Sequence, residues 1–313
     1  MIAFIFPGQG SQRVGMGRGL SDAFADARAA FDEAEAALPG LTKVIFEGPE
    51  TELVLTENAQ PAILTMSVAA QRVLAAHGIE PTFVAGHSLG EYSANVAAGT
   101  MRFGDAVRIV RRRGQYMQEA VPVGAGSMAA ILGLDADAVA RACEEAAQGE
   151  VVSPANINGA GQVVIAGATR AVQRAGERAK ALGAKRVIPL AVSAPFHCAL
   201  LKPAEARLEP ELRRLAVQSP RVPVVANVDA EPKRDAASAI DALVRQVSAP
   251  VRWEQVVRRL ASEGVTNYVE VGPGTVLSGL VKKIHKEAVV SNFAGPEDLA
   301  PLHEALRIQP RHV

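Results

Sequence analysis

The sequence has few cysteines, few aromatic residues and no excess of charge. Of its 313 residues, two are cysteine and 4% are aromatic, and 33 basic residues balance 33 acidic ones. Cys143 and Cys198 have no CxxC spacing, which argues against a disulfide framework and against a zinc site. The even charge argues against a protein that binds nucleic acid through a strongly basic surface.

A long apolar run is also missing near the start. Ile2–Phe6 is apolar, but Pro7-Gly8 follows at once, so the run is far shorter than the roughly 20 residues of a membrane span. Hydrophobic residues still make up 49% of the chain, enough to fill the core of one large or two modest domains. We therefore expect a cytoplasmic protein without a targeting segment or a membrane partner.

Strand-like and helix-like segments alternate over most of the chain. Ile2–Phe6, Pro81–Gly86 and Asn267–Val271 are short, largely apolar runs beside glycine or proline, which is typical of buried strands in parallel sheets. Helices are predicted over 21–37, 60–77, 89–98, 105–119 and 275–286. This alternation predicts an α/β fold.

The middle of the chain has a different order of elements. Strand patterns at 127–132, 151–152, 162–166 and 185–191 are interleaved with helical patterns at 135–147 and 169–182. The order β-α-β-β-α-β is the ferredoxin-like pattern. The sequence therefore predicts a large α/β body with a parallel sheet, residues 1–124 and 192–313, and an inserted ferredoxin-like subdomain, residues 125–191.

One motif indicates a serine nucleophile. Gly86-His-Ser-Leu-Gly90 matches G-x-S-x-G and lies between a predicted strand and a predicted helix. Such a turn lifts the hydroxyl of Ser88 out of the sheet and places it at a helix N-terminus, where N–H groups can hold an oxyanion. The alternative is an ordinary tight turn between a strand and a helix.

A serine nucleophile needs a base, and the chain has six histidines. His197 follows the last strand of the predicted subdomain, where the chain re-enters the body, although a lone histidine is as often a structural residue. The side chain of His87 should point away from the serine, and His303 and His312 lie in a polar C-terminal segment. Cys198 is a competing nucleophile, but nothing near it indicates activation, so a buried thiol is expected.

Two further features are ambiguous in the sequence. Gly8-Gln-Gly10 follows the first strand, but Arg13 stands where a dinucleotide-binding loop needs its third glycine, which leaves a loop of N–H donors or a structural turn. The helix at 105–119 carries four arginines. Most such arginines are solvated or pair with surface acids, yet a guanidinium of Arg113 that faced an active site would bind a carboxylate bidentately.

Motifs spread over essentially the whole chain occur in a characteristic order: Phe6-Pro-Gly-Gln-Gly-Ser-Gln12, Glu57-Asn-Ala-Gln-Pro-Ala-Ile63, Gly86-His-Ser-Leu-Gly-Glu-Tyr92, Arg112-Arg-Gly114 with Met117-Gln-Glu119, Ala155-Asn-Ile-Asn158 with Gln162-Val-Val-Ile-Ala-Gly167, and His197-Cys-Ala-Leu200. This set resembles the malonyl-CoA:acyl-carrier-protein transacylase family. The resemblance implies an α/β-hydrolase-like body with an inserted ferredoxin-like subdomain, in agreement with the order of the elements.

The resemblance also implies a role for each residue of the site. Ser88 would be the acyl-accepting nucleophile, His197 its base, and Arg113 the residue that binds the malonyl carboxylate. Backbone N–H groups of Gln9 and Leu89 would form the oxyanion hole.

Two more residues are assigned in the same way. Gln246 would orient the histidine through its main-chain carbonyl, in place of the acid of a catalytic triad. Phe196 precedes the histidine, and a phenylalanine there goes with malonyl rather than methylmalonyl in related polyketide synthase domains. Many free-standing bacterial members have serine at this position and still use malonyl, so the residue is a modest indication.

The activity implied is the transfer of malonyl from malonyl-CoA to the phosphopantetheine thiol of holo acyl carrier protein. A ping-pong mechanism through a malonyl-serine ester needs no bound cofactor and no metal. Fatty-acid and polyketide synthesis would use the same residues. The chain is expected to be a monomer that binds its carrier protein transiently.

Carrier proteins of this family are acidic, so a basic docking surface is expected. Residues 170–186 hold six basic residues against one acidic residue, and Lys185 and Arg186 belong to this cluster. Lys282 and Lys283 belong to a second one. Each cluster is equally compatible with an ordinary solvated helix face.

Two other classes of protein remain open. A serine esterase or thioesterase of the α/β-hydrolase type shares G-x-S-x-G but needs an acid and then a histidine after the serine. A non-catalytic module that docks a carrier protein would need neither a nucleophile nor a base.

Overall fold

The computed structural model describes residues 1–306, which contain ten strands and fourteen α-helices joined by loops and short 3₁₀ turns. The strands are β1 (Ile2–Phe6), β2 (Phe83–Gly86), β3 (Gly126–Leu132), β4 (Val152–Gly159), β5 (Gln162–Ala168), β6 (Arg186–Pro189), β7 (Val224–Val225), β8 (Pro232–Lys233), β9 (Asn267–Val271) and β10 (Val289–Phe293). The helices are α1 (Arg18–Ala23), α2 (Ala25–Ala37), α3 (Leu41–Glu47), α4 (Glu50–Leu53), α5 (Thr56–Ala76), α6 (Gly90–Ala97), α7 (Phe103–Glu119), α8 (Ala136–Ala147), α9 (Thr169–Ala181), α10 (Lys202–Arg214), α11 (Ala236–Gln246), α12 (Trp253–Ser262), α13 (Val276–Ile284) and α14 (Leu299–Leu306).

The larger sheet has the strand order β10-β9-β1-β2-β7-β8. Its strands pair in parallel, except for β7 with the short β8. Because side chains alternate along a strand, Phe4 and Phe6 belong to the core on one face, with α2, α5 and α7. Ala3 and Ile5 belong to the core on the other face, with α12 and α13. Helices on both faces explain why β1 is apolar at successive positions, and the predicted α/β class with a parallel sheet is confirmed.

The second sheet is antiparallel and has the order β4-β5-β3-β6. With α8 and α9 it forms a separate apolar core, and the chain order β3-α8-β4-β5-α9-β6 is the ferredoxin-like order expected. The strand predicted at 151–152 is too short, because β4 continues to Gly159 and pairs with β5 over this length through two register shifts. Strand β4 also contacts the segment just before α12, because Ile157 N donates to Val251 O at 2.8 Å.

Helix α5 begins at Thr56 rather than at the predicted residue 60, so Pro61 lies inside it. A proline has no N–H, which leaves the carbonyl of the residue four positions earlier without its helical donor. That carbonyl belongs to Glu57, and Arg111 Nη1 of α7 donates to it at 3.3 Å. A side chain from a neighbouring helix therefore replaces the bond that the proline removes.

The positions of His87 and His303 are also clear in the structure. The side chain of His87 turns toward Asn158, with Nε2 at 3.0 Å from Oδ1, and its ring lies 5.7 Å from that of Trp253. His303 is buried in α14, so its assignment to a polar segment is wrong. His312 lies outside the described residues. None of the helices within residues 1–306 is both long and apolar enough to cross a membrane.

Candidate active site

Ser88 lies in the tight turn between β2 and α6. Its φ is 52°, a left-handed conformation that is uncommon for residues other than glycine. A Cβ on Gly86 would lie 1.9 Å from the carbonyl carbon of Gly90, and one on Gly90 would lie 2.0 Å from Phe6 O. Both glycines are thus required by the close approach of main chains, as the G-x-S-x-G motif predicts.

The hydroxyl of Ser88 is hydrogen-bonded to a histidine. Ser88 Oγ lies 2.7 Å from His197 Nε2, and His197 Nδ1 lies 2.9 Å from the main-chain oxygen of Gln246. A carbonyl oxygen only accepts, so Nδ1 carries the proton and Nε2 is free to accept the proton of Ser88. The structure therefore brings these three predicted residues together, with a carbonyl where a triad would have an acid.

Arg113 is 1% exposed, whereas most arginines on such a helix are solvated or pair with surface acids. Its Nη1 donates to Gln60 Oε1 at 2.8 Å, and its Nη2 donates to Gln246 Oε1 at 2.9 Å and to Ser88 Oγ at 3.1 Å. The other three arginines of α7 pair with the carboxylates of Asp105, Glu57 and Glu211. Within residues 1–306, Arg113 has no such partner, so its buried charge is available to an acidic group that enters beside Ser88.

Two backbone N–H groups lie near Ser88, those of Gln9 and Leu89. Gln9 belongs to the loop after β1, where Gly8 is so close that an added Cβ would lie 2.5 Å from His87 O. Leu89 directly precedes the first residue of α6. Within the described residues neither the Gln9 N–H nor the Leu89 N–H has a protein acceptor, so both can donate to a developing oxyanion.

A cavity of about 340 Å³ opens onto this group of residues. Ser88, His197, Arg113, Gln9 and Phe196 line it. Met117 and Met128 add apolar surface. The cavity thus combines a serine hydroxyl, a histidine nitrogen that can accept its proton and one buried positive charge, a set of groups that suits an acyl group ending in a carboxylate.

Comparison with known proteins assigns the family. The model of a family described as "Acyl transferase domain" matches residues 3–304. The chain belongs to this family. The acyl transferase is 51% identical to the malonyl CoA-acyl carrier protein transacylase of Escherichia coli O157:H7 over 301 residues, which are 96% of this chain and 97% of that one. The family resemblance predicted from the motifs is confirmed.

Solved structures agree with this assignment of the acyl transferase. The crystal structure of an acyl carrier protein S-malonyltransferase from Vibrio cholerae has a TM-score of 0.94 and 47% identity, and the match covers 96% of this chain and 99% of that chain. A second structure is described as a type II PKS acyl-carrier protein in complex with its malonyl-transacylase. It also has a TM-score of 0.94 and 47% identity, with coverage of 97% and 99%.

Behind Ser88 of the acyl transferase lies a polar network that was not expected from the sequence. Asn227 Oδ1 accepts from Ser88 N at 2.8 Å, and its Nδ2 donates to Gly86 O at 2.7 Å. Glu91 Oε2 accepts from Gln246 Nε2 at 2.8 Å and from Asn227 N at 3.0 Å. Glu91 directly follows the G-x-S-x-G motif and lies in the first turn of α6, where an acid in an otherwise uncharged helix was an available signal. No local pattern marks Asn227.

Burial controls protonation in the site of the acyl transferase. Burial, with a further contribution from the charge of Arg113, lowers the pKa of His197 to about 3. Burial raises the pKa of Glu91 to about 7. It also raises the pKa of Cys198 to about 11, and this thiol donates to Pro195 O at 3.2 Å. Cys198 therefore stays protonated near neutral pH and is the buried thiol expected, not a competing nucleophile.

We expect His197 to stay neutral between about pH 8 and about pH 5, because its lowered pKa leaves the imidazole unprotonated well below the ordinary value of about 6.5. NMR of protein labelled at histidine Cε1 would measure this, with the His197 resonance assigned by its loss in His197→Asn. Arg113→Met is the matched variant, and losing the nearby positive charge should raise the His197 pKa. A wild-type titration midpoint between about 6 and about 7 would contradict the prediction.

The basic residues predicted for docking are exposed. Arg174 and Arg178 pair with Glu150 and Glu145, so part of the excess charge of residues 170–186 is neutralised. The four residues predicted for docking, Lys185, Arg186, Lys282 and Lys283, form no ion pair within residues 1–306. Lys185 packs on Gly133, while the adjacent Leu134 and Lys283 line one groove of about 230 Å³. The two clusters therefore border the same part of the surface.

Proposed function

We propose that the chain transfers a malonyl group from malonyl-CoA to the phosphopantetheine thiol of holo acyl carrier protein, through an ester on Ser88. The observation that carries the proposal is a buried guanidinium, that of Arg113, at 3.1 Å from a serine oxygen that a neutral histidine can deprotonate. The names of the relatives support the malonyl donor. The solved complex of a malonyl-transacylase with its carrier protein supports the acceptor.

In the first half-reaction, Ser88 Oγ attacks the thioester carbonyl while His197 Nε2 takes its proton. The N–H groups of Gln9 and Leu89 stabilise the oxyanion. The carbon–sulfur bond then breaks, the coenzyme A thiolate takes the proton from His197, and coenzyme A leaves as a thiol. A malonyl ester remains on the serine, and the malonyl carboxylate is held by Arg113.

In the second half-reaction, the same residues act on a different thiol. His197 takes the proton of the phosphopantetheine thiol, the sulfur attacks the ester carbonyl, and the proton returns to Ser88 as the ester bond breaks. Because coenzyme A leaves before the carrier protein reacts, the mechanism is ping-pong. Neither step requires a metal or a bound cofactor.

The carboxylate clamp favours transfer over hydrolysis. A malonyl group held by Arg113 occupies the cavity beside the ester, so little room is left for a water molecule near His197. An acyl group without a carboxylate would leave the guanidinium buried and unpaired, which selects against it. Phe196 narrows the same space and supports malonyl over a group with an α-methyl substituent.

An esterase of the α/β-hydrolase type is the second candidate. In that family, an acid orients the catalytic histidine. Here the atom opposite His197 Nδ1 is the main-chain oxygen of Gln246. Glu91 is the nearby carboxylate, and it binds Gln246 Nε2 and Asn227 N instead. The geometry therefore favours the transferase.

The mass of the intact protein after incubation with malonyl-CoA tests the proposal. We expect a malonyl adduct that persists in buffer and is discharged by holo carrier protein. Rapid discharge by water alone would indicate a hydrolase. Absence of any adduct would favour a non-catalytic docking module.

We expect reversal of charge at Lys185 or Arg186 to raise the KM for carrier protein severalfold and to leave the KM for malonyl-CoA unchanged. Both side chains are exposed at the start of β6, and their attraction for an acidic partner acts mainly on its encounter with the enzyme. Steady-state kinetics with each substrate varied in turn would measure the effect.

The control is Arg213→Glu, which changes the net charge equally but lies at the end of α10 and pairs with Glu209 and Asp241. It should leave the KM for carrier protein unchanged. Unchanged carrier kinetics in Lys185→Glu and Arg186→Glu would remove this surface from the proposal. The same comparison applies to Lys282 and Lys283.

The proposal includes the organisation of the chain. The strands of the antiparallel sheet all fall between Gly126 and Pro189, which supports an inserted subdomain of residues 125–191 in a body made of 1–124 and 192–313. The last seven residues of that body lie outside the described range. The cytoplasmic location, the monomeric state and the transient nature of the carrier complex stay predictions.

A further inference from the structure

A carboxylate with no part in the mechanism above is buried directly behind the nucleophile. Glu91 is 1% exposed and lies in the first turn of α6. Its Oε2 accepts from Gln246 Nε2 and from Asn227 N, and it has no hydrogen bond to Ser88, His197 or Arg113. A buried acid is costly unless its hydrogen bonds compensate, so these two contacts require an explanation.

Gln246 is the residue that Glu91 holds, and it contacts both sides of the site. Its main-chain oxygen accepts from His197, and its side-chain Oε1 accepts from Arg113 Nη2 at 2.9 Å. Its side-chain Nε2 donates to Ser88 O at 2.9 Å and to Glu91 Oε2 at 2.8 Å. One glutamine therefore orients the base through its backbone and the guanidinium through its side chain.

The orientation of this amide matters because its two ends have opposite hydrogen-bonding properties. Glu91 Oε2 also accepts from the main-chain N–H of Asn227, so this oxygen faces Gln246 as an acceptor and requires the NH₂ group of its amide on that side. The oxygen of the amide must then face Arg113. If the amide were turned by half a rotation, its NH₂ group would face a guanidinium that has only donors.

The arrangement also leaves the charge of Arg113 free. Its two nitrogen ends are held by the amide oxygens of Gln60 and Gln246, which fix the position of the guanidinium without neutralising it. A carboxylate in direct contact would form an ion pair and compete with the malonyl group. Glu91 contacts Gln246, and Gln246 contacts Arg113. Glu91 can therefore hold the guanidinium in position while the guanidinium stays free to bind the malonyl carboxylate.

We propose that Glu91 is a positioning residue for malonyl selectivity, which holds the Gln246 amide so that its oxygen faces Arg113. This inference rests on the proposed function, because it concerns the residue that binds the malonyl carboxylate. It assigns Glu91 no contact with the substrate and no proton transfer. Its effect is therefore on the discrimination between malonyl and uncharged acyl groups.

Two replacements of similar size separate orientation from packing. Glu91→Gln keeps an oxygen that can accept from Gln246 Nε2 and Asn227 N. Glu91→Leu removes this acceptor, so the buried Asn227 N–H loses its partner and Gln246 Nε2 keeps only Ser88 O at 2.9 Å and the longer contact with Asn227 Oδ1 at 3.3 Å. The readout is the ratio of kcat/KM for malonyl-CoA to that for acetyl-CoA in the loading of Ser88. We expect Glu91→Leu to lower this ratio by about tenfold or more, and Glu91→Gln to stay within about threefold of the wild type.

A double-mutant cycle tests whether Glu91 acts through Gln246. Gln246→Leu removes the amide but keeps the main-chain oxygen that binds His197, so it should lower the ratio as Glu91→Leu does. In the Gln246→Leu background, Glu91→Leu should have no further effect on the ratio. Glu270→Gln is the matched control, because this buried carboxyl accepts from Leu277 N and Ser278 N at the start of α13 and should not alter selectivity.

An unchanged ratio in Glu91→Leu, or in Gln246→Leu if the former does not fold, would overturn the inference. Equal losses in Glu91→Leu and Glu91→Gln would overturn it too, since charge rather than the acceptor would then be responsible. Failure of the proposed function is distinguishable, because the wild type itself would then form no malonyl ester. If the wild type forms the malonyl ester and the Glu91 variants have wild-type selectivity, only the positioning role of Glu91 is contradicted.

Discussion

We expect Ser88→Ala to form no malonyl ester and to lose at least about 10⁴-fold of the rate of malonyl transfer, as is usual when a nucleophile that works together with its base is removed. The oxygen that is lost is the one within hydrogen-bond distance of both His197 Nε2 and Arg113 Nη2. Intact mass after incubation with malonyl-CoA reports the ester, and transfer to holo carrier protein reports the rate.

Cys198→Ala is the matched control for this loss. Cys198 directly follows His197 in the chain and is the alternative nucleophile to Ser88. Burial, however, raises the pKa of its thiol and keeps it protonated, and Sγ donates a hydrogen bond to Pro195 O. The variant should form the malonyl ester at close to the wild-type rate. A malonyl adduct that survives in Ser88→Ala and disappears in Cys198→Ala would assign the nucleophile to the cysteine and contradict the mechanism.

The residues of the site differ in how far a sequence can predict them. Ser88 is predictable because its strained turn needs glycine two positions before it and two positions after it. The requirement is therefore a pattern of five consecutive residues, which can be recognised in the sequence alone. The contact of Ser88 with His197 joins residues 109 positions apart, and no local pattern carries it. The place of His197 after the last strand of the subdomain left a structural role open, and the resemblance to the family was needed to assign it as the base.

Long-range contacts also explain what the sequence left open. Four arginines on one helix look alike in sequence, yet three meet carboxylates from other segments and Arg113 does not. Likewise, the basic excess of residues 170–186 is reduced by acids of other segments, Glu145 and Glu150. Net charge within a segment therefore predicts a surface poorly, because the partners lie elsewhere in the chain.

The network around Gln246 shows the same limit in a stronger form. The resemblance assigned Gln246 through its main-chain oxygen, which is compatible with almost any side chain. Its side chain, however, bonds Arg113, Ser88 O and Glu91 at once. These partners come from α7, from α6 and from the turn before α6, whereas Gln246 ends α11, so the role of the amide is visible only when these segments are seen together.

The second large effect is expected for Arg113→Ala. Removing one partner of a buried, hydrogen-bonded charge pair costs roughly 2–5 kcal/mol, which corresponds to a loss of about 30-fold to 5,000-fold in kcat/KM for malonyl-CoA. Loading from acetyl-CoA or a longer uncharged acyl-CoA should increase, because these groups no longer bury an unpaired guanidinium. Competition between malonyl-CoA and acetyl-CoA, read by the mass of the Ser88 ester, would measure both changes at once.

Arg113→Lys separates charge from geometry in this prediction. A lysine keeps the positive charge, but its ammonium is a single point that cannot reach Gln60 Oε1, Gln246 Oε1 and a carboxylate with the planar geometry of a guanidinium. We therefore expect a selectivity between those of the wild type and Arg113→Ala. Wild-type selectivity in Arg113→Ala would contradict the clamp. Wild-type selectivity in Arg113→Lys, with selectivity lost in Arg113→Ala, would mean that the positive charge is sufficient and that the planar geometry of the guanidinium is not needed. The positioning role of Glu91, which depends on that geometry, would then be contradicted.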